Sequence, residues 1–347
     1  MSSDVHRVLV VGVGGIGCGW AQVVPSVSGF ELAGLVDIDA GVLARVGQEL
    51  GIPQERRFQD LALARERTQA DIAIIAVPNH LHLPLVRQAF ELRLHVICEK
   101  PLADTMEDAL RIRQLCREHP DRKFMVSQNY RWHPSVQAIR NAIAGGQIGD
   151  LGYIHWDFQR PSHFGGWREE MEDVLLADMA IHHFDLIRYI TGREPVRVVA
   201  RSFNPSWSWY RGRAAASVLF EMTGGVEVNY FGCWAARGRP TSWPGESRFV
   251  GSQAAIHWDG ESDPVLVRYV KEDQGHEVEL EEIPLPIPEM PYTGLAYSLY
   301  EMGKALVEDR QPITWIEDNL LSFAMSRAAI ASSRRGGPVD IAELLSP

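Results

Sequence analysis

Arg7-Val8-Leu9-Val10-Val11, followed at once by Gly12-Val13-Gly14-Gly15-Ile16-Gly17, is the stretch that decides the fold. The first part is an apolar, β-branched run, the pattern of a strand covered on both faces. The second is a Gly-x-Gly-x-x-Gly turn that opens a helix. Its glycines permit a tight turn and let the backbone approach a pyrophosphate at the helix N-terminus. The turn alone is a generic signal; its setting makes it specific. Asp37 closes the next apolar strand, 20 residues after Gly17. A carboxylate there accepts bonds from adenosine ribose hydroxyls and repels a 2′-phosphate. No arginine follows it, only Ile38 and Asp39. NAD is therefore the expected cofactor, in preference to NADP.

Working outward, Arg7–Val11, Glu31–Asp37, Asp71–Pro78, His95–Glu99 and Lys123–Asn129 read as parallel strands. Helical patterns fill the gaps at about 15–28, 40–50, 81–93 and 105–119, which gives a doubly wound α/β domain over residues 1–125. Beyond it the character changes. A helix near 134–144 leads into short alternating strands at Gly152–Gln159, Val196–Ser202, Ala214–Glu221 and Val226–Trp234. Ile283–Pro291 is proline-rich and reads as extended surface chain, and helices at about 294–309 and 316–334 close the sequence. Residues 126–347 are thus expected to form an α+β domain with a large, mostly antiparallel open sheet.

The 347 residues suit two domains rather than one core. A composition of 46% hydrophobic and 23% charged residues is that of an ordinary globular protein. The formal charge of −11 argues against general nucleic-acid binding and against docking to an anionic membrane. Cys18, Cys98, Cys116 and Cys233 form no C-x-x-C pair, so neither a disulfide framework nor a zinc site is expected, and no other metal. The apolar run at the N-terminus is too short and too glycine-broken for a signal peptide or a membrane span. A reducing cytoplasm is the expected location.

Three further strings carry chemistry. Cys98-Glu99-Lys100-Pro101 ends the fourth strand, at the sheet edge where open parallel sheets bind ligands. By itself Lys100 is a loop lysine; the other strings turn that reading around. Ala76-Val77-Pro78-Asn79-His80-Leu81-His82 ends the third strand, with polar groups at the mouth and Asn79 placed as a helix cap. Asp178-Met179-Ala180-Ile181-His182-His183-Phe184-Asp185 sets Asp178, His182 and Asp185 on one stripe if the segment is a regular helix. A histidine held by carboxylates is a base poised near neutral pH; a structural histidine bonded to a capping aspartate is the competing reading.

Taken in this order, the strings resemble the glucose–fructose oxidoreductase, inositol dehydrogenase and rhizopine-catabolism (Gfo/Idh/MocA) family of NAD(P)-dependent oxidoreductases, over essentially the whole chain. The distinctive parts are Pro78-Asn79-x-x-His82, Glu99-Lys100-Pro101 and Asp178-x-x-x-His182-x-x-Asp185; Gln128-Asn129-Tyr130-Arg131-Trp132-x-Pro134 looks like the family's crossover between domains. The resemblance implies a Rossmann domain followed by an α+β domain, with Lys100, Asp178 and His182 as catalytic residues. It implies a cofactor site drawn from Gly12, Gly14, Gly15, Ile16, Gly17, Asp37, Ile38, Pro78, Asn79, His82, Glu99, Lys100, Asn129, Arg131 and Trp132. Two departures fall near the expected substrate. Glu172-Asp173-Val174-Leu175-Leu176 stands where many members carry a glycine run, and Ala180 replaces a frequent glycine.

Trp156, Trp167, Trp207, Trp209, Trp234, Trp243 and Trp258 all fall between residues 151 and 260, accompanied by Arg160, Arg168, Arg211, Arg213, Arg237 and Arg239. Aromatic faces stack on sugar rings and arginines clamp anions, although tryptophans on a sheet also form core. His163, Trp167 and Arg168 are the expected substrate contacts, with Asp178 and His182. The expected activity is hydride transfer between nicotinamide and a CH–OH or ketone of a sugar or polyol. His182 is the candidate base, Asp178 orients and polarises it, and Lys100 bonds the reacting oxygen and stabilises its developing charge or relays the proton. The rivals are an NAD-dependent glycosidase working by transient oxidation and elimination, and a non-catalytic NAD-binding sensor. The expected partners are a small carbohydrate and further copies of the chain, as a dimer or tetramer joined through the second sheet.

Overall fold

The computed structural model describes residues 5–273 and 277–345. The chain divides into two compact units. The first comprises the chain up to Asn129 together with Pro291–Leu320, and the second comprises Tyr130–Met290 and the chain from Leu321 onward.

In the first unit, strands β1 (His6–Val11), β2 (Phe30–Val36), β3 (Arg57–Phe58), β4 (Ile72–Ile75), β5 (His95–Cys98) and β6 (Phe124–Val126) form one parallel sheet in the order β3-β2-β1-β4-β5-β6. The order reverses at β1, beside the glycine turn, which is where such sheets take their ligands. Helices α1 (Ile16–Val23), α2 (Ala40–Glu49), α3 (Leu61–Thr68), α4 (His82–Glu91) and α5 (Met106–Glu118) make the crossovers. Val8, Leu9 and Val10, and Ile72 through Ile75, have no exposed surface, as continuous apolar strands between helical layers require. Asp39, Asp60 and Thr105 cap α2, α3 and α5 through their side chains. β3 and α3 have no counterpart in the sequence reading.

The second unit begins with α6 (Pro134–Ala144). Its sheet comprises β7 (Leu151–Gln159), β8 (Pro195–Phe203), β9 (Ala215–Met222), β10 (Val226–Cys233), β11 (Glu246–Gly251), β12 (Ala255–Trp258), β13 (Val265–Asp273), β14 (Glu277–Pro284) and β15 (Val339–Asp340). The order is β14-β13-β12-β11-β7-β10-β9-β8-β15. Only the β7–β10 pair is parallel among these neighbours. Burial alternates along β9 and β10, so one face is core and the other open. Helix α7 (Ala180–Thr191) lies on the core face, where Phe184 meets Phe220 at 4.9 Å and Tyr230 at 5.1 Å, both edge-on. Helices α8 (Gly294–Val307), α9 (Ile316–Arg335) and α10 (Ala342–Leu345) complete the chain. Among the described residues no helix is long and apolar enough to cross a membrane, and no group of His, Cys, Asp or Glu side chains could hold a metal ion.

Candidate functional site

In the first unit the turn after β1 is a cradle made of missing side chains. Gly12 has φ +81°, and a Cβ there would stand 2.6 Å from the Ala76 carbonyl oxygen. A Cβ on Gly17 would stand 1.8 Å from the Gly12 carbonyl oxygen. Both glycines are fixed by close backbone approach. Gly14 is the opposite case, with nothing within 4 Å of where its Cβ would be. Its backbone faces open space at the start of α1, the place a pyrophosphate needs. Gly15 caps α1 with no side chain of its own.

Asp37 faces this turn. Its carboxylate accepts the Val13 N–H at 2.9 Å and the Asp39 N–H at 3.0 Å, which pins its position at the end of β2. Each oxygen keeps acceptor capacity for a ribose hydroxyl. Ile38 is 87% exposed and Ile16 is 47% exposed, so two apolar side chains stand open beside the turn.

Beyond β4, Pro78 leads into a short 3₁₀ turn over Asn79–Leu81. His82 is fully buried, with Nδ1 3.2 Å from the Leu102 carbonyl and Nε2 3.0 Å from the Val77 carbonyl. Burial lowers its pKa, against the pull of those carbonyls. His82 thus ties together the loops that follow β4 and β5. Glu99 is buried too, accepting Trp20 Nε1–H at 2.7 Å and the Lys100 N–H at 3.2 Å. Burial raises its pKa, opposed by the Trp20 bond and the Lys100 charge. Lys100 itself is half-buried, and the Lys100–Pro101 bond is cis. Asn129 is half-buried at the end of the unit.

In the second unit Asp178 lies in a π-helical turn over Leu175–Met179, and His182 lies in the α-helix that follows. Such turns are frequent at functional sites. The two side chains are nearly buried, at 5% and 6% exposure. Arg168 Nε donates to Asp178 Oδ2 at 2.8 Å. The Arg168 guanidinium lies 4.5 Å from the Trp167 ring and 5.6 Å from the Phe164 ring. The His182 ring stacks on Tyr130, with centroids 4.3 Å apart and planes 13° apart. His163 stacks on Trp209 at 3.6 Å, and Trp209 donates to the Ser162 carbonyl at 3.1 Å.

The acid–histidine–acid stripe requires a correction. Asp185 is held by Arg131, Nε to Oδ2 at 2.7 Å and Nη2 to Oδ1 at 2.6 Å, and by the Ser322 hydroxyl at 2.7 Å. It braces the unit. Arg131 and Trp132 are each 1% exposed, with Trp132 edge-on to Tyr189. The π turn before Ala180 also departs from the regular helix that the stripe assumed. Two acidic residues closer to Arg168 in sequence are paired elsewhere: Glu170 with Arg211, and Glu172 with Arg213 and Arg334.

Phe164 has no part in the sequence expectations, and Tyr130, Arg160 and Trp243 enter them only as members of the crossover string and of the tryptophan and arginine cluster. Burial pushes the Tyr130 phenol up to about 12, and the Arg160 charge works against that rise. Arg160 lies over Trp243, 4.5 Å from its ring, and Trp243 stands 6.3 Å from Phe164. Aromatic and arginine enrichment in this stretch was visible in the sequence; which members contact one another was not.

A glycine cradle at the switch point of a parallel sheet, with a strand-end aspartate on it, defines a dinucleotide-binding protein. The chain belongs to the Gfo/Idh/MocA family: residues 6–128 match the model described as "Oxidoreductase family, NAD-binding Rossmann fold", and residues 136–257 match the family's C-terminal domain. It is an NAD-binding oxidoreductase. A D-apiose dehydrogenase of Paraburkholderia graminis is 26% identical over 347 residues, covering 95% of this chain and 89% of that protein. An inositol 2-dehydrogenase of an Arthrobacter species is 30% identical over 201 residues, 57% of this chain and 58% of that protein. The same fold is seen in an Agrobacterium radiobacter oxidoreductase solved with NAD⁺, L-tartaric acid and magnesium, with TM-score 0.85, 22% identity, and 98% and 99% of the two chains covered.

Proposed function

We propose that this protein oxidises a CH–OH of a sugar, polyol or sugar derivative, or reduces the matching ketone. The observation that carries the reading is His182, nearly buried and stacked on Tyr130, four residues beyond an aspartate that an arginine holds in place. The names of the apiose and inositol dehydrogenase relatives favour the same substrate class.

NAD supplies the hydride acceptor when bound, and its fit here rests on the cradle of Gly12 and Gly17, the open space over Gly14, and Asp37. Ile16 and Ile38 offer apolar surface to the adenine. Asp37 favours NAD over NADP by charge. Pro78, Asn79, Glu99 and Asn129 serve the nicotinamide end. His82 serves it indirectly, by fixing the loops that follow β4 and β5, whereas Arg131 braces α7 within the second unit. His182 takes the hydroxyl proton as the carbon gives up its hydride. Asp178 orients His182 and is itself held by Arg168. The Lys100 ammonium bonds the reacting oxygen and stabilises the negative charge that develops there. His163 and Trp167 contact the substrate.

The test is a screen of sugars, polyols, sugar acids and glycosides for NADH formation. Stoichiometric NADH from a sugar supports the proposal. Cleavage of a glycoside with no net NADH would replace it with the elimination chemistry. We also propose a homo-oligomer joined by the open face of the second sheet. Tyr153, Val199 and Leu219 are 45%, 45% and 51% exposed there, and Val199 and Leu219 are direct cross-strand neighbours. Sedimentation of wild type and Leu219→Glu tests this: a monomeric wild type rejects it.

A further inference from the structure

The arginines of the second unit are not equivalent. Arg211 pairs with Glu170 at 3.1 Å, and Arg213 pairs with Glu172 at 3.1 Å and Asp173 at 3.2 Å. Arg168 pairs with Asp178. Arg237 and Arg239 are exposed to solvent. Arg160 differs from all of these. It is half-buried, and Nη1 donates to the Thr241 carbonyl at 2.8 Å. Its Nε is buried with no hydrogen-bond partner, and no carboxylate lies within ion-pair distance among the described residues. A guanidinium keeps its charge under all ordinary conditions, and this one, held by a carbonyl and an aromatic face but by no counter-ion, keeps its attraction for an anion.

Its surroundings say what that ligand would meet. A circuit of contacts runs from Asp178 to Arg168 at 2.8 Å, on to Phe164 at 5.6 Å, to Trp243 at 6.3 Å, and to Arg160 at 4.5 Å. Arg160 acts electrostatically on Tyr130, and Tyr130 stacks on His182 at 4.3 Å. His182 lies one turn beyond Asp178, which closes the circuit. Within the circuit Asp178 and His182 are nearly buried, while Phe164 and Trp243 are 42% and 37% exposed. Trp243 is anchored as well: His183 Nε2 lies 3.0 Å from its carbonyl oxygen, so the residue after His182 holds it. Two further groups near this circuit have partners of their own. Glu169 accepts the Gly165 N–H at 2.9 Å, and the Tyr210 hydroxyl donates to the Ser162 carbonyl. The charge of Arg168 is neutralised by Asp178, so Arg168 offers donors without net attraction for an anion. That of Arg160 is not neutralised.

We propose that the substrate is an anionic sugar derivative, a polyhydroxylated carboxylate whose acid group is bound by Arg160, with Phe164 and Trp243 against its carbon skeleton. This rests on the reading of Asp178 and His182 as the floor of the substrate site. The probes are charge-matched pairs: D-gluconate with D-glucitol, and D-glucuronate with D-glucose, with D-glucose 6-phosphate to separate carboxylate from phosphate recognition. With NAD saturating, wild type prefers the acid of each pair. In Arg160→Gln the ratio of kcat/KM for acid over neutral partner falls roughly 10- to 100-fold, the scale of a charge-assisted bond, and Arg160→Lys keeps part of it. A wild type that favours the neutral partners, or a ratio that Arg160→Gln leaves unchanged, overturns the proposal; preference for the phosphate ester alone overturns the carboxylate assignment. If Arg160→Gln does not fold, Arg160→Lys must show the same ordering at smaller amplitude, and an unchanged ratio there overturns it. If none of the probes is oxidised, binding decides: gluconate must quench tryptophan fluorescence of the NAD-loaded protein in an Arg160-dependent way. That outcome would keep the anion site and remove the dehydrogenase reading. Oxidation of neutral sugars that needs His182 but ignores Arg160 would do the reverse.

Discussion

Alanine at Gly14 and at Gly17 should have opposite consequences, although the residues sit in the same turn. At Gly17 the new Cβ would lie 1.8 Å from the Gly12 carbonyl oxygen, where real Cβ contacts do not fall below 3.0 Å. The turn and the start of α1 must therefore move apart by at least 3.0 − 1.8 = 1.2 Å. A shift of that size is worth about 10²-fold in a positioned site, or about 2.7 kcal/mol. Gly17→Ala should therefore weaken NAD about 100-fold and lower the melting temperature of the free protein as well. At Gly14 the new Cβ meets nothing within 4 Å, and φ is not left-handed. Stability should change by no more than about 0.5 kcal/mol. Yet the methyl enters the space where the backbone must approach a pyrophosphate, so NAD affinity should drop at least about 10-fold. Fluorescence titration with NAD and thermal melting without it give both quantities. A Gly14→Ala protein that binds NAD as wild type does would refute the assignment of that space to the cofactor.

Asp37→Ala should weaken NAD and narrow its advantage over NADP, because the ribose acceptor and the repulsion disappear together; tighter NADP binding by the wild type would reject the role given to Asp37. Asp185→Asn leaves a buried Arg131 without its counter-ion and should cost about 3 kcal/mol or more, read as a melting temperature roughly 6–12 °C lower; a change within about 2 °C would contradict the bracing role. His183 is buried and its pKa is lowered from 6.5 to about 4, chiefly by desolvation. The unfolded chain therefore binds this proton first, so stability should fall as pH drops from 6.5 toward 4, by up to ~3 kcal/mol from this residue. Urea midpoints that rise on acidification across that window would contradict the sign.

The first sheet was legible because its strands are short apolar runs punctuated by Gly, Pro and Asp, and because burial on both faces removes any alternation to misread. β3 has two residues, and α3, Leu-Ala-Leu-Ala-Arg-Glu-Arg-Thr, has no apolar stripe at helical spacing, so neither left a pattern. The return of Pro291–Leu320 to the first unit is a long-range event with no local signal. At the site, residue types were legible and partners were not. Nothing local joins Arg168 to Asp178 when Glu169, Glu170 and Glu172 stand closer in sequence. Helical spacing drew Asp185 toward His182, whereas an arginine 54 residues away claims it. The contact of Tyr130 with His182 likewise depends on packing between α6, α7 and the chain that leads into them.

The most direct test of the central claim is the turnover of His182→Asn and Lys100→Met, measured as NADH formation on the best substrate of the wild type, with NAD affinity followed in parallel. Loss of a base, or of the donor to the reacting oxygen, predicts turnover lower by roughly 10²-fold or more with NAD affinity nearly intact. Wild-type turnover in either variant, or a loss that follows NAD affinity rather than the chemical step, would contradict the account.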